Sequence, residues 1–162
     1  MGLRIRPLLC VLVAGSLGAG VPARPLRSGG RVFYVAVSGN DADPGSLTRP
    51  WRTIGKAAGT LAAGDAVYIR KGTYRERVIP KASGSDADHT IRYASYPGET
   101  AILDGTGIAV PEDEGLFHIQ GKKHLIVSGL RIVNAGYAGI YVYRSRHIVV
   151  EKNRTLKTVS SG

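Results

Sequence analysis

Short runs in which apolar and polar residues alternate dominate the chain from residue 66 onward. In the first run Val67 and Ile69 alternate with Tyr68 and Arg70, which is the period-two pattern of a half-buried strand. Turns rich in glycine, aspartate or serine separate the runs. Many short strands at close spacing predict an all-β fold, either a sandwich or a solenoid. The further strands are predicted at Arg77–Ile79, Thr90–Tyr93, Ala101–Leu103, Leu116–Ile119 and His124–Val127.

The segment before these runs predicts one strand and one short helix. Val32–Val37 is aromatic and β-branched, which is typical of a strand. Apolar residues at helical spacing predict a helix over Ile54–Ala63 that Gly64 ends. Two internal glycines weaken this helix by about 1 kcal/mol each, so it needs a tertiary surface to pack on. Trp51, at the helix entry, is predicted to plug the core rather than to form a binding platform.

An internal repeat favours the solenoid over the sandwich. The runs beginning at His124 and His147 are similar and lie 23 residues apart. The same offset pairs Arg131 with Arg154 and Ile132 with Thr155. A period in the low twenties with three short apolar runs matches one coil of a parallel β-helix. The two histidines are then predicted to be stacked structural residues.

The first residues have the pattern of a secretory signal. Arg4 and Arg6 form a basic start, and the following apolar run of about 14 residues is shorter than the roughly 20 that span a bilayer. We therefore predict a signal peptide at residues 1–23, a flexible basic leader at 24–31, and no stable membrane anchor. This predicts a secreted or extracytoplasmic protein. The only cysteine, Cys10, lies within the signal, so the mature chain would have no disulfide.

The composition restricts the class of binding partner but does not identify the partner. The chain has 162 residues, enough for one domain, and a formal net charge of +10. An excess of positive charge favours an anionic partner such as an acidic polysaccharide, a cell surface or nucleic acid. The alternative is a soluble, exported protein of high isoelectric point with no charge-driven function.

Several motifs carry a resemblance to a known superfamily. They are Phe33-Tyr34-Val35, Ser38-Gly39-Asn40-Asp41, Pro44-Gly45, Pro50-Trp51-Arg52-Thr53-Ile54, Gly64–Ile69, Gly72-Thr73-Tyr74, Ile91-Arg92-Tyr93, Ile102–Gly105 and Ile126–Leu130. Through them residues 32–162 resemble the N-terminal cap and first coils of a right-handed parallel β-helix protein of the pectate-lyase-like superfamily. Polysaccharide lyases of family nine and the alginate or chondroitin lyases are the types most similar. The resemblance implies a capping N-terminal α-helix and a chain truncated at its C-terminus.

The resemblance also implies a chemistry. Such lyases cleave uronic-acid polysaccharides by β-elimination: a basic residue removes the proton next to the uronate carboxylate, which calcium or a cationic side chain neutralises. No position of this chain matches the catalytic lysine with its aspartate cluster. We therefore assign no catalytic residue and expect the chain alone to be inactive. The alternative is a non-catalytic carbohydrate-binding or cell-surface solenoid.

The expected partners follow from the same resemblance. They are an acidic polysaccharide and further coils of a longer chain, with no nucleic acid expected. The sequence predicts no cofactor in this chain, and the resemblance implies calcium in a full-length relative.

A basic and aromatic strip is the candidate substrate-binding surface. Outward faces of successive coils would bring cations and tyrosines together against sugar rings and carboxylates. The alternative is ordinary outward residues that alternate with inward Ile140 and Val142. The members of the strip are Lys122, Lys123, Arg131, Tyr137, Tyr141, Tyr143, Arg144 and Arg146.

Two acidic turns are weighed as calcium sites, and neither is assigned. Asn40, Asp41 and Asp43 supply oxygen ligands, but no glutamate follows at the spacing of a calcium loop, so a side-chain-to-backbone turn is favoured. Glu112–Glu114 is predicted to be a solvated loop. The sequence thus predicts no metal site.

Overall fold

The computed structural model describes residues 30–157, which hold one helix and eleven strands. The predicted signal peptide and most of the predicted leader lie outside these residues. The elements are β1 (Val32–Val35), α1 (Ile54–Thr60), β2 (Ala66–Ile69), β3 (Gly72–Tyr74), β4 (Ile91–Ser95), β5 (Ala101–Asp104), β6 (Gly115–Gln120), β7 (Lys123–Ser128), β8 (Arg131–Val133), β9 (Ala138–Tyr143), β10 (Arg146–Glu151) and β11 (Arg154–Leu156). Of the predicted strands, Arg77–Ile79 is reduced to one bridge between Val78 and Phe117.

The strands form three parallel sheets, and the chain visits the sheets in turn. Sheet A has the order β1-β2-β4-β7-β10, sheet B the order β11-β8-β5-β3, and sheet C pairs β6 with β9. One complete coil consists of β4, β5 and β6, and the next consists of β7, β8 and β9. A chain that returns to the same sheet once per coil is a parallel solenoid, which confirms that prediction.

The 23-residue repeat is confirmed in the strand register. Lys123 pairs with Arg146 in sheet A, and Arg131 pairs with Arg154 in sheet B. The His124 and His147 rings stack with centroids 4.5 Å apart and planes 9° apart, which confirms the predicted stack. At the turn after β10, Asn153 bridges the coils, because its side chain donates to Val127 O at 2.8 Å and accepts from Leu130 N at 2.9 Å.

The inward faces of the sheets form one apolar core. Residues of successive strands stack there in register, such as Val67 on Tyr93 and Tyr93 on Val127. The Tyr93 and Phe117 rings meet edge to face at 5.4 Å across the interior. Every coil contributes side chains to this core. The alternation of inward and outward side chains along each strand therefore determines which residues reach the outer surface.

Helix α1 packs at the first coil, as predicted for a cap. Its Ile54, Ala57 and Ala58 are buried in the same core as β1. Thr53 caps the helix by accepting a hydrogen bond from Lys56 N at 3.0 Å. The helix ends at Thr60 rather than at Ala63, because the next residue adopts an extended conformation.

Trp51 and the aspartate-rich turn are structural, as predicted. The Trp51 ring is buried and stacks on Phe33 at 4.5 Å, and its Nε1 donates to Asp43 O at 2.8 Å. Asp41 accepts from Arg52 N, from Thr53 N and from the Thr53 hydroxyl at 2.7–3.0 Å. Both Asp41 oxygens are therefore used within the turn.

The last described coil leaves apolar side chains in contact with solvent. Val142, Val149 and Val150 are 42–45% exposed, although Val142 pairs with the fully buried Ile119. Within residues 30–157 no strand pairs with the free edges of β9 and β10. Val142 was predicted to face inward, and its exposure reflects this open end. No helix of the described chain is both long and apolar enough to cross a membrane.

Candidate functional site

The outer surface of sheet C carries a row of stacked rings. The register of β6 and β9 places His118 beside Tyr141 and Gln120 beside Tyr143. The His118 and Tyr141 rings are 5.6 Å apart and nearly parallel, with an angle of 4°. Tyr143 follows with its centroid 6.4 Å from that of Tyr141. His118 is buried beneath this stack, so the accessible rings of Tyr141 and Tyr143 are the ones suited to the apolar face of a sugar ring.

Hydrogen bonds hold His118 in one tautomer. Gly115 N donates to its Nδ1 at 3.3 Å, so Nδ1 carries no proton. Nε2 then carries the proton and donates to Gln120 Oε1 at 3.2 Å. This pairing orients the Gln120 amide and the imidazole together, which gives the surface a fixed polar pattern.

An acidic loop closes one end of this surface. Residues Glu112–Glu114 line an open groove of about 360 Å³ together with His118, Gln120, Tyr141 and Tyr143. The Tyr137 hydroxyl donates to Asp113 Oδ1 at 3.2 Å, and Glu114 forms an ion pair with Arg77. Loss of water contact and the Asp113 carboxylate raise the pKa of the Tyr141 phenol above its ordinary value, which already leaves the hydroxyl protonated at neutral pH.

A basic corner closes the other end, where sheet C turns into sheet A. We define it as Lys122, Lys123, Arg144 and Arg146. Backbone contacts stack its two turns, since Arg146 N donates to Lys122 O at 3.0 Å and Lys122 N donates to Ser145 Oγ at 3.0 Å. The Arg144 guanidinium lies over the Tyr143 ring, 5.1 Å from its centroid. None of the four cations has an acidic partner among the described residues.

The site is therefore polarised along the strands. The acidic loop lies before β6, and the basic corner follows β6 and β9. Six strand residues separate the two ends by about 17 Å. An anionic ligand on the tyrosine faces would be attracted to the corner and repelled by the loop, which gives the surface a direction.

The structure divides the predicted strip among three places. The four cations of the basic corner lie at the turns after β6 and β9, and one of them, Arg144, contacts Tyr143. Tyr137 lies at the acidic end, bonded to Asp113. Arg131 begins β8 in sheet B, between Ile102 and Arg154, and so faces a different side of the solenoid. The prediction that Arg131 joins the other cations is corrected, because the turn after Ser128 carries the chain to another sheet.

Sequence reasoning missed His118 and Gln120. His118 lies in the predicted strand Leu116–Ile119 and has no role in that prediction, and Gln120 lies just beyond the predicted strand. The repeat carried the missing signal, because the offset of 23 residues that relates the two histidine runs also relates His118 to Tyr141. Applying this offset to every outward position would have found the stacked pair.

Calcium, which the resemblance implies for full-length relatives, does not fit the described residues. Among residues 30–157 no group of three or more His, Cys, Asp or Glu side chains lies close enough to hold a metal ion. Asp41 is occupied by three donors of its own turn, and Glu114 is paired with Arg77. We therefore derive no chemical step through a metal in these coils.

Parallel sheets that are visited in turn, with a short helix over the first coil, define a parallel β-helix protein. The family model described as "Pel9A-like, right handed beta helix region" matches residues 33–162, and the chain belongs to this family. The predicted right-handed β-helix and the pectate-lyase-like resemblance are thereby confirmed.

Two curated relatives match most of the chain. It is 34% identical over 142 residues to the uncharacterized protein YwoF of Bacillus subtilis, covering 81% of this chain and 30% of that protein. It is 28% identical over 143 residues to pectate lyase PEL9 of Emericella nidulans, covering 80% of this chain and 34% of that protein. The chain thus spans about a third of the length of these relatives.

Two solved structures support the fold. Pectate lyase Pel9A superposes with a TM-score of 0.55 at 21% identity, covering 80% of this chain and 35% of that one. A rhamnogalacturonan lyase superposes with a TM-score of 0.55 at 25% identity, covering 65% of this chain and 29% of that one. The chain is thus related to lyase-type β-helix proteins.

Proposed function

We propose that the chain is an exported β-helix protein of the polysaccharide lyase type whose described coils bind an acidic polysaccharide. One observation carries the proposal: four cations without acidic partners lie at one corner, where Arg144 packs on the exposed Tyr143 ring next to the half-buried Tyr141. The kinship with pectate lyase PEL9 supports a uronic-acid polymer as the ligand class. The signal pattern of residues 1–23 supports export.

The geometry of the basic corner suits a polymer with repeated carboxylates. Lys123 and Arg146 are register partners on adjacent strands, which places their backbones about 4.8 Å apart. Arginine binds carboxylates with two parallel hydrogen bonds, whereas lysine acts as a point charge. Successive uronates can therefore meet successive coils, with Tyr141 and Tyr143 packed on the sugar rings.

We place the β-elimination step outside residues 30–157. The reaction needs a base next to the uronate as well as a neutralised carboxylate. The basic corner supplies cations for the carboxylate. The resemblance implies a lysine beside an aspartate cluster, and no group of three or more His, Cys, Asp or Glu side chains lies together in these coils. The chain spans about a third of the length of its relatives.

Polygalacturonate binding tests the proposal. Isothermal titration calorimetry of the full chain should show binding that weakens as salt rises, because exposed charges are screened beyond about 8 Å at 0.15 M ionic strength. Lys123→Ala and Arg146→Ala should each weaken binding about two- to fivefold. Arg131→Ala removes the same charge from sheet B and is the matched control. Equal losses in all three variants would refute the basic corner as the site.

A non-catalytic binding solenoid is the second candidate, favoured by the lack of a metal-ligand cluster in the described coils. New ultraviolet absorbance from unsaturated uronide ends reports lyase turnover. We expect none from the 162-residue chain. Turnover by this chain would refute our placement of the catalytic step. A protein that carries further coils should turn over the polymer if it is a lyase, and only bind it if the second candidate holds.

A further inference from the structure

The outer surface of sheet A holds a second ordered surface that the basic corner does not include. Register places Tyr34 on Tyr68, Tyr68 on Ala94, and Ala94 on Ser128 along one outward row. Arg92 belongs to the neighbouring outward row and pairs with Ile126. Side chains from separate coils are thus aligned along the solenoid axis, across the strands.

Three tyrosines cluster at the first coils of this surface. The ring centroids of Tyr34, Tyr68 and Tyr96 lie 6.1–6.2 Å from one another. Arg70 lies over the Tyr96 ring at 4.6 Å and is held by a bidentate ion pair with Glu99 at 2.7–3.0 Å. The Glu99 carboxylate also accepts from a backbone N–H at 2.7 Å. The aromatic wall is therefore preorganised before any ligand arrives.

A groove of about 710 Å³ continues from the tyrosines along the axis. Its lining comes from β2, β4, β7 and β10, so it crosses four strands and is roughly 14 Å long. Small residues lower its floor between the larger walls. They are Ala94, Ser95, Gly98, Ser128 and Gly129. An open channel of this length suits an extended polymer better than a compact small molecule, for which a deeper pocket is typical.

The groove is lined by charges of both signs, with one cation in excess. Arg92 is half-buried, and among the described residues its guanidinium has no hydrogen-bond or ion-pair partner. Lys152 is the second cation. Of the two carboxylates in the lining, Glu99 is held by Arg70, so Glu151 is the one that opposes the two cations. Such a lining donates to and accepts from hydroxyl groups, and it attracts a polyanion less strongly than four cations without acidic partners do. The basic corner, which is purely cationic, differs in this respect.

We propose that the sheet A groove binds a neutral linear polysaccharide lengthwise, with sugar rings packed on Tyr68 and Tyr96 and hydroxyls bonded to Arg92. Apolar Ile126 and Val149 extend the contact toward the later coils. This ligand class differs from the acidic polymer assigned to sheet C. The two surfaces would let the protein bind a neutral glycan and an acidic one at the same time.

Calorimetry of the full chain with cellohexaose, xylohexaose and mannohexaose tests the inference. At least one should bind with an affinity that salt leaves unchanged. Tyr68→Ala should weaken binding about tenfold or more, as truncation of a central aromatic contact does. Ser128→Trp fills the groove floor without removing a tyrosine, so it should abolish binding even if Tyr68→Ala proves too unstable. Arg131→Ala, on sheet B, is the control, and urea unfolding checks the fold of each variant.

The outcomes separate this inference from the proposed function. Neutral binding lost in Ser128→Trp and retained in Lys123→Ala/Arg146→Ala would support the groove. Polygalacturonate binding without neutral binding would overturn the inference and leave the proposed function intact. Neutral binding that Ser128→Trp retains would place the ligand elsewhere and overturn it as well. Loss of polygalacturonate binding in Ser128→Trp would refute the neutral ligand class.

Discussion

Gly45→Ala tests how tightly the first coil is closed. Gly45 has φ 77°, and its carbonyl accepts a hydrogen bond from Tyr34 N at 2.8 Å. A Cβ there would lie 2.6 Å from Trp51 Cε2, which is inside van der Waals contact. The Trp51 ring cannot retreat easily, because it stacks on Phe33 and donates to Asp43 O. The new methyl group would therefore overlap with a ring that cannot move away.

The expected cost has two parts. The left-handed backbone costs a non-glycine residue about 1–2 kcal/mol, and overpacking a filled core costs about 1–3 kcal/mol. Gly45→Ala should thus lower the free energy of unfolding by about 2–5 kcal/mol. Gly98 is the matched control, since it has φ 76° and no atom within 4 Å of an added Cβ. Gly98→Ala should lower the free energy of unfolding only by the backbone cost of about 1–2 kcal/mol.

Urea unfolding followed by far-ultraviolet circular dichroism measures both variants. Loss of glycine flexibility in the unfolded chain is the same for the two, so it cancels in their difference. That difference, about 1–3 kcal/mol, isolates the contact with Trp51. It should shrink when Gly45→Ala is placed in a Trp51→Leu background. A Gly45→Ala variant no less stable than Gly98→Ala would refute the packing of Trp51 described above.

Three further predictions concern stability and are read from urea midpoints. Gly59→Ala should stabilise the protein by about 1 kcal/mol, because its Cβ meets open space, whereas Gly55→Ala should gain less against the Glu76 carboxylate 3.1 Å away. The Arg70 hydrogen bond lowers the pKa of Glu99 to about 2. The stability that the ionised Glu99 carboxylate contributes is therefore present above pH 4.5 and is lost as the pH falls toward 2. Glu99→Gln should remove this loss of stability at acid pH. Asn153→Ala should cost about 1–3 kcal/mol through two lost hydrogen bonds, and the exposed Asn40→Ala should cost less.

The solenoid could be predicted because the structural repeat is also visible as a repeat in the sequence. Stacked coils must place equivalent residues in register, so the separation of His124 and His147 in the sequence equals the number of residues in one coil. The capping helix was predictable from its apolar spacing and its weakness in isolation. The predicted end of this helix was wrong, because Leu61 adopts an extended conformation. The next residue, Ala62, donates its backbone N–H to Asp65 Oδ2 at 2.9 Å. That contact depends on the folded chain.

The candidate site was less predictable, because proximity across sheets depends on where each turn sends the chain. Arg131 is as basic and exposed as Arg146, yet the turn after β7 carries it to sheet B. Earlier coils are also longer than the repeat, since the segment between β5 and β6 inserts the acidic loop. A fixed offset from the last coils therefore does not place the side chains of the first coils. The sheet A groove was missed for this reason.

A parallel solenoid separates the residues that determine the fold from those that meet a ligand. The inward rows fill the core and fix the register, and each fixed register also aligns an outward row at a spacing of about 4.8 Å. Outward substitutions away from such contacts change stability by about 0.5 kcal/mol or less, so the outer rows can change chemistry without changing the fold. Sheet C carries a charge gradient from Asp113 to Arg146, and sheet A carries a lining of mixed charge around Tyr68. Because the two rows share no side chain, one protein can present surfaces for an acidic and for a neutral glycan.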